Sequence, residues 1–230
     1  MAANQGPARP RTRARTISNL ALLVLAAGLS WQPTVRAEEG KLPPSVTAIL
    51  PIFGQLVAFS QPSDFVVANE KADGSRYIRE AVPKGETVDD WSQMITVTGA
   101  KELALNRNVT TIQVASTIAN GFQKRCPKSF AATSFGNMDI DGYRAFAVVA
   151  GCGSVDTGNG KHAETALILA IQGGGDFYTL QWAERAAAAD KPPEVEAPVW
   201  KERLERLGPI RLCPIVAGEG PPYPSCTRAK

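Results

Sequence analysis

Two apolar runs joined by three glycines establish the class of fold: Glu164-Thr-Ala-Leu-Ile-Leu-Ala-Ile-Gln172, Gly173-Gly-Gly175 and Asp176-Phe-Tyr-Thr-Leu-Gln-Trp-Ala183. Each run has the length and composition of a β-strand. Because three residues are too few for a crossover connection, two strands joined in this way must be antiparallel neighbours. The sequence therefore predicts a β-hairpin at residues 164–183.

Five further strands are predicted upstream of this hairpin, each bounded by turn residues. They are residues 64–71, 76–82, 92–98, 129–135 and 143–151. The first two form a hairpin of their own, because the Asp73-Gly74 dipeptide between them favours the positive φ angles of a primed turn. Short connections again require antiparallel pairing of the last four strands.

Two helices are predicted from apolar residues that recur every three or four positions. The first runs from Asn108, taken as its N-cap, to Lys124, and the second starts at Pro198 and ends before Gly208. The element order ββ(β)–α–ββββ–α excludes a doubly wound parallel sheet, in which strands and helices alternate. The expected fold class is α+β, an antiparallel sheet with helices packed on it.

A family resemblance makes this expectation more specific. Gly85-Glu-Thr-Val-Asp-Asp-Trp-Ser-Gln-Met-Ile-Thr-Val97 and Gly173-Gly-Gly-Asp-Phe-Tyr-Thr-Leu-Gln-Trp-Ala-Glu-Arg185 resemble strings in uncharacterised exported bacterial proteins. The element order is similar to that of the PsbP/DcrB-like family, whose α-β-α sandwich occurs in non-enzymatic accessory and envelope proteins. The resemblance covers roughly residues 57–212 and implies this sandwich fold, but it includes no catalytic signature.

The N-terminal segment has the three parts of a Sec-type signal peptide. Four arginines between Arg9 and Arg15 precede an apolar run, residues 20–29, that is too short to span a bilayer comfortably. Val35-Arg36-Ala37 then predicts cleavage between Ala37 and Glu38. The expected location is the periplasm, or the medium if the protein is secreted; an uncleaved N-terminal anchor is the alternative.

Four regions are predicted along the chain. They are a cleaved signal peptide (1–37), an N-terminal extension (38–56), a single α+β domain (57–212) and a Pro/Gly-rich tail that carries two cysteines (213–230). Pro51 interrupts the apolar run at residues 46–59, which excludes a second membrane helix there. No transmembrane segment is expected in the mature chain.

Cleavage also changes the net charge of the protein. The full chain has 25 basic and 22 acidic residues, and the predicted signal peptide contains five arginines and no acid. The mature chain therefore has 20 basic against 22 acidic residues, a net charge of about −2. The basic character belongs to the segment that is removed, which argues against a nucleic-acid partner.

The four cysteines, Cys126, Cys152, Cys213 and Cys226, all lie in the exported part. An even number in an oxidising compartment favours disulfides, and the chain has no C-x-x-C motif for thiol exchange. Three pairings are possible. We prefer Cys126–Cys152 with Cys213–Cys226, because the second bridge would order the Pro/Gly-rich tail; four free buried thiols are the alternative.

Three motifs that suggest ligand chemistry have simpler structural interpretations. His162 is the sole histidine, so several histidines cannot bind a metal within one chain, and we expect it in an exposed turn. Residues 137–142 begin like a calcium loop, but Val148 replaces the bidentate glutamate and a hairpin turn is expected. The glycines at 173–175 precede a strand and not a helix, so they predict a hairpin tip. We expect no cofactor and no metal.

Two groups of residues are candidates for a binding or catalytic site. Asp89-Asp90-Trp91 sets two carboxylates beside an aromatic ring, although adjacent acids cannot by themselves straddle a glycosidic bond. Tyr178, Trp182 and Glu184 lie on one side of a predicted strand and could form a surface patch, with core packing as the alternative.

Two classes of function remain. The favoured class is a non-catalytic periplasmic binding or accessory module, whose partner is an unknown envelope protein, lipid or polymer. The alternative is an envelope hydrolase that uses carboxylates and no histidine. The sequence does not identify catalytic residues, and it leaves the question of enzymatic activity open with a preference for a binding role.

Overall fold

The computed structural model describes residues 44–158 and 160–227. The predicted signal peptide and its cleavage site at Ala37–Glu38 lie outside these residues. Within the described part of the chain, no helix is long and apolar enough to cross a membrane.

Seven strands form one antiparallel sheet in the order β3-β4-β5-β9-β8-β7-β6. They are β3 (Phe65–Ala72), β4 (Arg76–Pro83), β5 (Gln93–Ala100), β6 (Phe130–Ile140), β7 (Tyr143–Asp156), β8 (Lys161–Gln172) and β9 (Phe177–Ala187). The hairpin predicted at residues 164–183 is the β8–β9 pair, in which Gln172 lies opposite Phe177.

A second antiparallel sheet has the order β1-β2-β10. Its strands are β1 (Ser45–Ile52), β2 (Gln55–Pro62) and β10 (Arg211–Pro214). The domain boundaries expected after residues 56 and 212 fall inside β2 and β10. These two strands pair with each other, so neither boundary separates one region from the next. Residues 44–56 are therefore part of the sheet structure and are not an extension.

The expected fold class, α+β with helices packed on an antiparallel sheet as an α-β-α sandwich, is wrong. The described residues form two antiparallel sheets and few helices: α1 (Thr111–Arg125), α2 (Val199–Leu207), the short α3 (Pro224–Thr227) and a 3₁₀ turn at Leu103–Leu105. One core contains residues of both sheets, including Ile52, Phe59, Leu169 and Leu180. The second sheet, together with α2, therefore covers a face of the large sheet for which a layer of helices was expected.

The opposite face of the large sheet is covered in part by α1. Its buried residues Ala115 and Ala119 pack against Val148, Ala150 and Ile168 on β7 and β8. The helix begins later than predicted, because its N-cap is Thr110 and not Asn108.

Candidate functional site

A polar cleft of about 740 Å³ lies beside the ends of β8 and β9. The turn before β5 lines one side of it, including Asp89, Asp90 and Trp91, and the start of β8 lines the other, with Lys161 and His162. Because β9 lies between β5 and β8 in the sheet, Arg185 on β9 sits between the two sides. The fold thus brings together two groups of residues about 70 positions apart in sequence.

The turn before β5 is held by its own hydrogen bonds. The Thr87 backbone N–H donates to the Asp90 carbonyl at 2.9 Å, and the Asp90 N–H donates to Thr87 Oγ1 at 3.1 Å. The Glu86 carboxylate accepts from both the N–H and the hydroxyl of Ser92, each at 2.7 Å. These bonds fix the turn and leave the Asp89 and Asp90 side chains exposed at its surface.

Arg185 fastens this turn to the sheet. Its guanidinium carbon lies 3.8 Å from the centre of the Trp91 ring, and Nη1 donates to the Asp89 carbonyl at 3.1 Å. A stacked cation over an indole ring is among the stronger cation–π arrangements. Trp91 is only 7% exposed and packs with Val82 and Met94. One face of the Trp91 ring is therefore occupied by a side chain of the protein itself.

Glu164, which does not itself line the cleft, is shared between two basic groups that do. Its Oε2 lies 3.3 Å from His162 Nε2 and 3.6 Å from Arg185 Nε. The side chains of His162, Glu164 and Arg185 are 16%, 17% and 16% exposed, so water screens these contacts less than it would on an open surface. The expectation of an exposed turn histidine is wrong, because β7 and β8 pair as far as Asp156–Lys161 and this places His162 inside a strand.

Three charged side chains at the cleft have no polar contact with the described part of the protein. These are the carboxylates of Asp89 and Asp90 and the ammonium group of Lys161. Asp156, which lies opposite Lys161 in the β-ladder, instead accepts a hydrogen bond from the Gly158 N–H at 3.0 Å. The cleft therefore combines a frame of hydrogen-bonded and ion-paired groups with charges that have no polar contact within the described residues.

The residues proposed from the sequence as a surface patch do not form one. Tyr178 and Trp182 are 1% and 0% exposed, and both belong to the core shared by the two sheets. Glu184 forms an ion pair with Arg203 of α2 at 2.5 Å, and the Arg203 guanidinium carbon lies 5.0 Å from the centre of the Trp182 ring. The patch is the docking surface of α2, in line with the core-packing alternative.

A buried carboxylate that the sequence did not indicate as a functional group, Asp176, lies immediately before β9. It is 6% exposed and accepts hydrogen bonds from the Gly54 N–H at 3.0 Å, the Glu102 N–H at 2.7 Å and the Tyr178 hydroxyl at 3.1 Å. Burial, and then the Asp176 charge, raise the pKa of Tyr178 well above its usual range. An acid in a strand with aromatic neighbours gave no local signal of this role.

The glycine loop between β8 and β9 is closed to a phosphate. Gln55 Oε1 accepts a hydrogen bond from the Gly174 N–H at 2.8 Å. A Cβ atom on Gly173 would lie 2.2 Å from the same oxygen, so the loop packs directly against β2. Residues 137–142 likewise form the end of β6 and its turn into β7, where the Gly142 N–H donates to Asp139 Oδ1 at 2.8 Å.

The structure joins Cys126 to Cys152 and Cys213 to Cys226, the same pairs that we preferred from the sequence. Such bridges are compatible with an exported protein. Within the described ranges, no group of three or more His, Cys, Asp or Glu residues is placed to hold a metal ion.

An apolar groove of about 410 Å³ runs along α1, on the face of the large sheet that α1 covers in part. Its lining includes Leu103, Val109 and Ile118 together with Phe177. The groove arises because α1 covers β7 and β8 and stops short of β5. Helical periodicity alone could not reveal which strands the helix would cover.

No family model and no curated protein matches the chain. Among solved structures, the Ran-binding protein Mog1p of Saccharomyces cerevisiae is similar over 73% of this chain and 96% of its own, with 8% identity and a TM-score of 0.44. CyanoP, the cyanobacterial PsbP of Synechocystis sp. PCC 6803, is similar over 73% and 92%, with 12% identity and a TM-score of 0.40.

A third similar structure is LpqN of Mycobacterium tuberculosis, a protein involved in cell envelope biogenesis. The similarity covers 74% of this chain and 91% of LpqN, with 10% identity and a TM-score of 0.37. PsbP, the family to which the sequence resemblance pointed, is thus among the similar structures. At TM-scores below 0.5, these similarities indicate neither a partner nor an activity for this chain.

Proposed function

We propose that the mature chain is an exported, non-catalytic binding module of the cell envelope, and that it binds its partner in the polar cleft. The observation that carries the proposal is a cleft of about 740 Å³ lined by two acids, Asp89 and Asp90, and a base, Lys161, whose charged groups have no polar contact within the described residues. Binding sites commonly combine a preformed concave frame with a few polar groups that fix the orientation of the ligand.

Export is supported by the predicted signal peptide and by the two disulfides. Disulfides persist in the periplasm and outside the cell, whereas reducing systems keep cytosolic thiols free. Both bridges are buried: the four cysteines are between 1% and 5% exposed. The burial of both bridges indicates that they are structural, and structural disulfides support the proposal of an oxidising compartment.

The contacts of the acids in and beside the cleft give the hydrolase alternative no support. Glu86 is held by Ser92, and Glu164 by His162 and Arg185. Asp89 and Asp90 are exposed neighbours on one turn, and adjacent acids cannot flank a glycosidic bond from opposite sides. The Trp91 ring, whose face could support a sugar, carries Arg185 at 3.8 Å.

Photo-crosslinking in intact cells of the native host tests the proposal. A photoreactive amino acid would be placed at Thr157 or Ala186, which are exposed and line the cleft, and at the exposed control positions Ala68 and Lys128 outside it. We expect a discrete crosslinked product from the two cleft positions and none from the controls. The fractionation of the same cells should recover the protein outside the cytoplasm.

Two results would contradict the proposal. Equal crosslinking from cleft and control positions would show that the cleft is not the binding surface. Turnover of an envelope component by the purified protein, abolished by changing an acid of the cleft to its amide, would show that the protein is an enzyme.

A further inference from the structure

The free charges of the cleft are segregated by sign. Among residues 44–158 and 160–227, Asp89 and Asp90 have no charged partner on the side formed by the turn before β5, and Lys161 has none on the side formed by the start of β8. The other charged groups that line the cleft are already engaged: Glu86 with Ser92, and His162 and Arg185 with Glu164 beside the cleft. A ligand therefore meets two negative charges on one side and one positive charge on the other.

This arrangement selects against ligands that carry a single sign of charge. An anion that contacts Lys161 lies in the field of Asp89 and Asp90, and a polycation that contacts these acids approaches Lys161 and Arg185. Charge complementarity acts most strongly through such repulsion of the wrong partners. A ligand with one cationic and one anionic group satisfies both sides of the cleft.

The surroundings of the cleft also favour a polar chain over a lipid headgroup. Trp91 is the one large apolar side chain in the described lining, and it is 7% exposed with Arg185 stacked on its ring. The described lining offers an acyl chain no second large apolar side chain. The hydroxyls of Thr87 and Thr157 line the cleft as well and can bond to amide groups.

We infer that the ligand of the cleft is a zwitterionic peptide segment, with its ammonium or guanidinium group at Asp89 and Asp90 and its carboxylate at Lys161. This inference rests on the proposed binding function and specifies its ligand. A cleft of about 740 Å³ is within the size range of sites that hold drug-sized molecules, which suits a segment of about three residues.

Titration of the purified mature protein with three capped tripeptides tests the inference. The probes are acetyl-Lys-Ala-Glu-amide, acetyl-Lys-Ala-Lys-amide and acetyl-Glu-Ala-Glu-amide, followed by ligand-observed NMR at low ionic strength. We expect the zwitterionic peptide to bind at least about tenfold more tightly than the other two, because it alone pairs with both sides of the cleft.

Variants assign the binding to the named charges. The double change Asp89→Asn with Asp90→Asn, and separately Lys161→Gln, should each weaken binding of the zwitterionic peptide about tenfold. The matched control is Glu202→Gln with Glu205→Gln, which removes two exposed acids from α2 outside the cleft and should leave binding unchanged. The amide changes are at exposed positions, and circular dichroism checks that each variant is folded.

Equal binding of all three peptides, binding that the control variant weakens as much, or no binding at all would overturn the inference. Capture of zwitterionic phospholipid vesicles through the same residues would replace the peptide by a headgroup. The crosslinking experiment in cells is independent of these probes. If the cleft crosslinks to a partner in cells but binds none of the three peptides, the proposed binding function stands and the peptide is not its ligand.

Discussion

Asp176 is the residue on which we expect the packing of three segments to depend. Its carboxylate joins the β1–β2 turn at Gly54, the segment before α1 at Glu102, and Tyr178 in the core. Asp176→Asn keeps the shape of the side chain but removes the charge and replaces one acceptor by a donor. We expect a loss of about 2–3 kcal/mol in the free energy of unfolding, measured by urea denaturation.

Asp139→Asn is the matched control for this change. Asp139 is exposed and its carboxylate accepts one hydrogen bond, from the Gly142 N–H at 2.8 Å. We expect a cost below about 1 kcal/mol, since water can replace the lost bond. Equal losses for the two variants would mean that Asp176 does not hold the three segments together.

The residues of the candidate site could be identified from the sequence, but their arrangement could not. Asp89-Asp90-Trp91 stood out because paired acids beside an indole ring suggest chemistry, and His162 because the chain has no other histidine. That they line one cleft depends on Arg185, which contacts both the turn before β5 and Glu164. Those contacts depend on the order of β5, β9 and β8 in the sheet, which local sequence does not reveal.

At the scale of elements, α1 begins two residues later than the sequence predicts, with Thr110 and not Asn108 as its N-cap. Thr110 and Gln113 form a capping box: Thr110 Oγ1 accepts from the Gln113 N–H at 3.2 Å, and Gln113 Oε1 accepts from the Thr110 N–H at 2.8 Å. Thr110→Ala should therefore lower the free energy of unfolding by about 1 kcal/mol. Asn108→Ala, at the N-cap predicted from the sequence, should cost a few tenths of a kcal/mol. Thermal unfolding of the two variants checks this order, and the reverse order would place the cap at Asn108.

The strands with short connections could be predicted, because turn residues and strand length are local features. The hairpins β3–β4 and β8–β9 match the predicted ranges within a few residues. By contrast, β1 lies within residues 38–56, which were taken for an N-terminal extension, and Pro51 interrupts its apolar run. Pro51 is exposed on β1, an edge strand that pairs with β2 alone, so its missing N–H costs the ladder nothing on its free side.

At the scale of the whole molecule, the pairing of β10 with β2 explains why the α-β-α sandwich was wrong. Leu212 lies opposite Val57, so the C-terminal segment returns to a strand about 150 residues earlier in the chain. Element order cannot show such a contact, because β10 is four residues long and resembles a loop. The antiparallel pairing of the large sheet followed from its short connections, whereas the second sheet depends on this long-range return.

The bridge Cys213–Cys226 should stabilise the second sheet without supporting the cleft. Cys226 is buried with Leu56 and Ala58 on the outer side of β2, and the Arg211 guanidinium donates to the Cys226 carbonyl at 2.7 Å. Cys213→Ala with Cys226→Ala removes a bridge that closes a segment of 13 residues, so we expect a loss of about 2–4 kcal/mol. Limited proteolysis should then cut between residues 214 and 226, where the bridged protein resists.

Crosslinking at Ala186 in the cleft, which lies on the large sheet, should be unchanged in this double variant. If the double variant lost that crosslink while the large sheet stayed folded by hydrogen exchange, the cleft would depend on the bridged segment, contrary to this prediction.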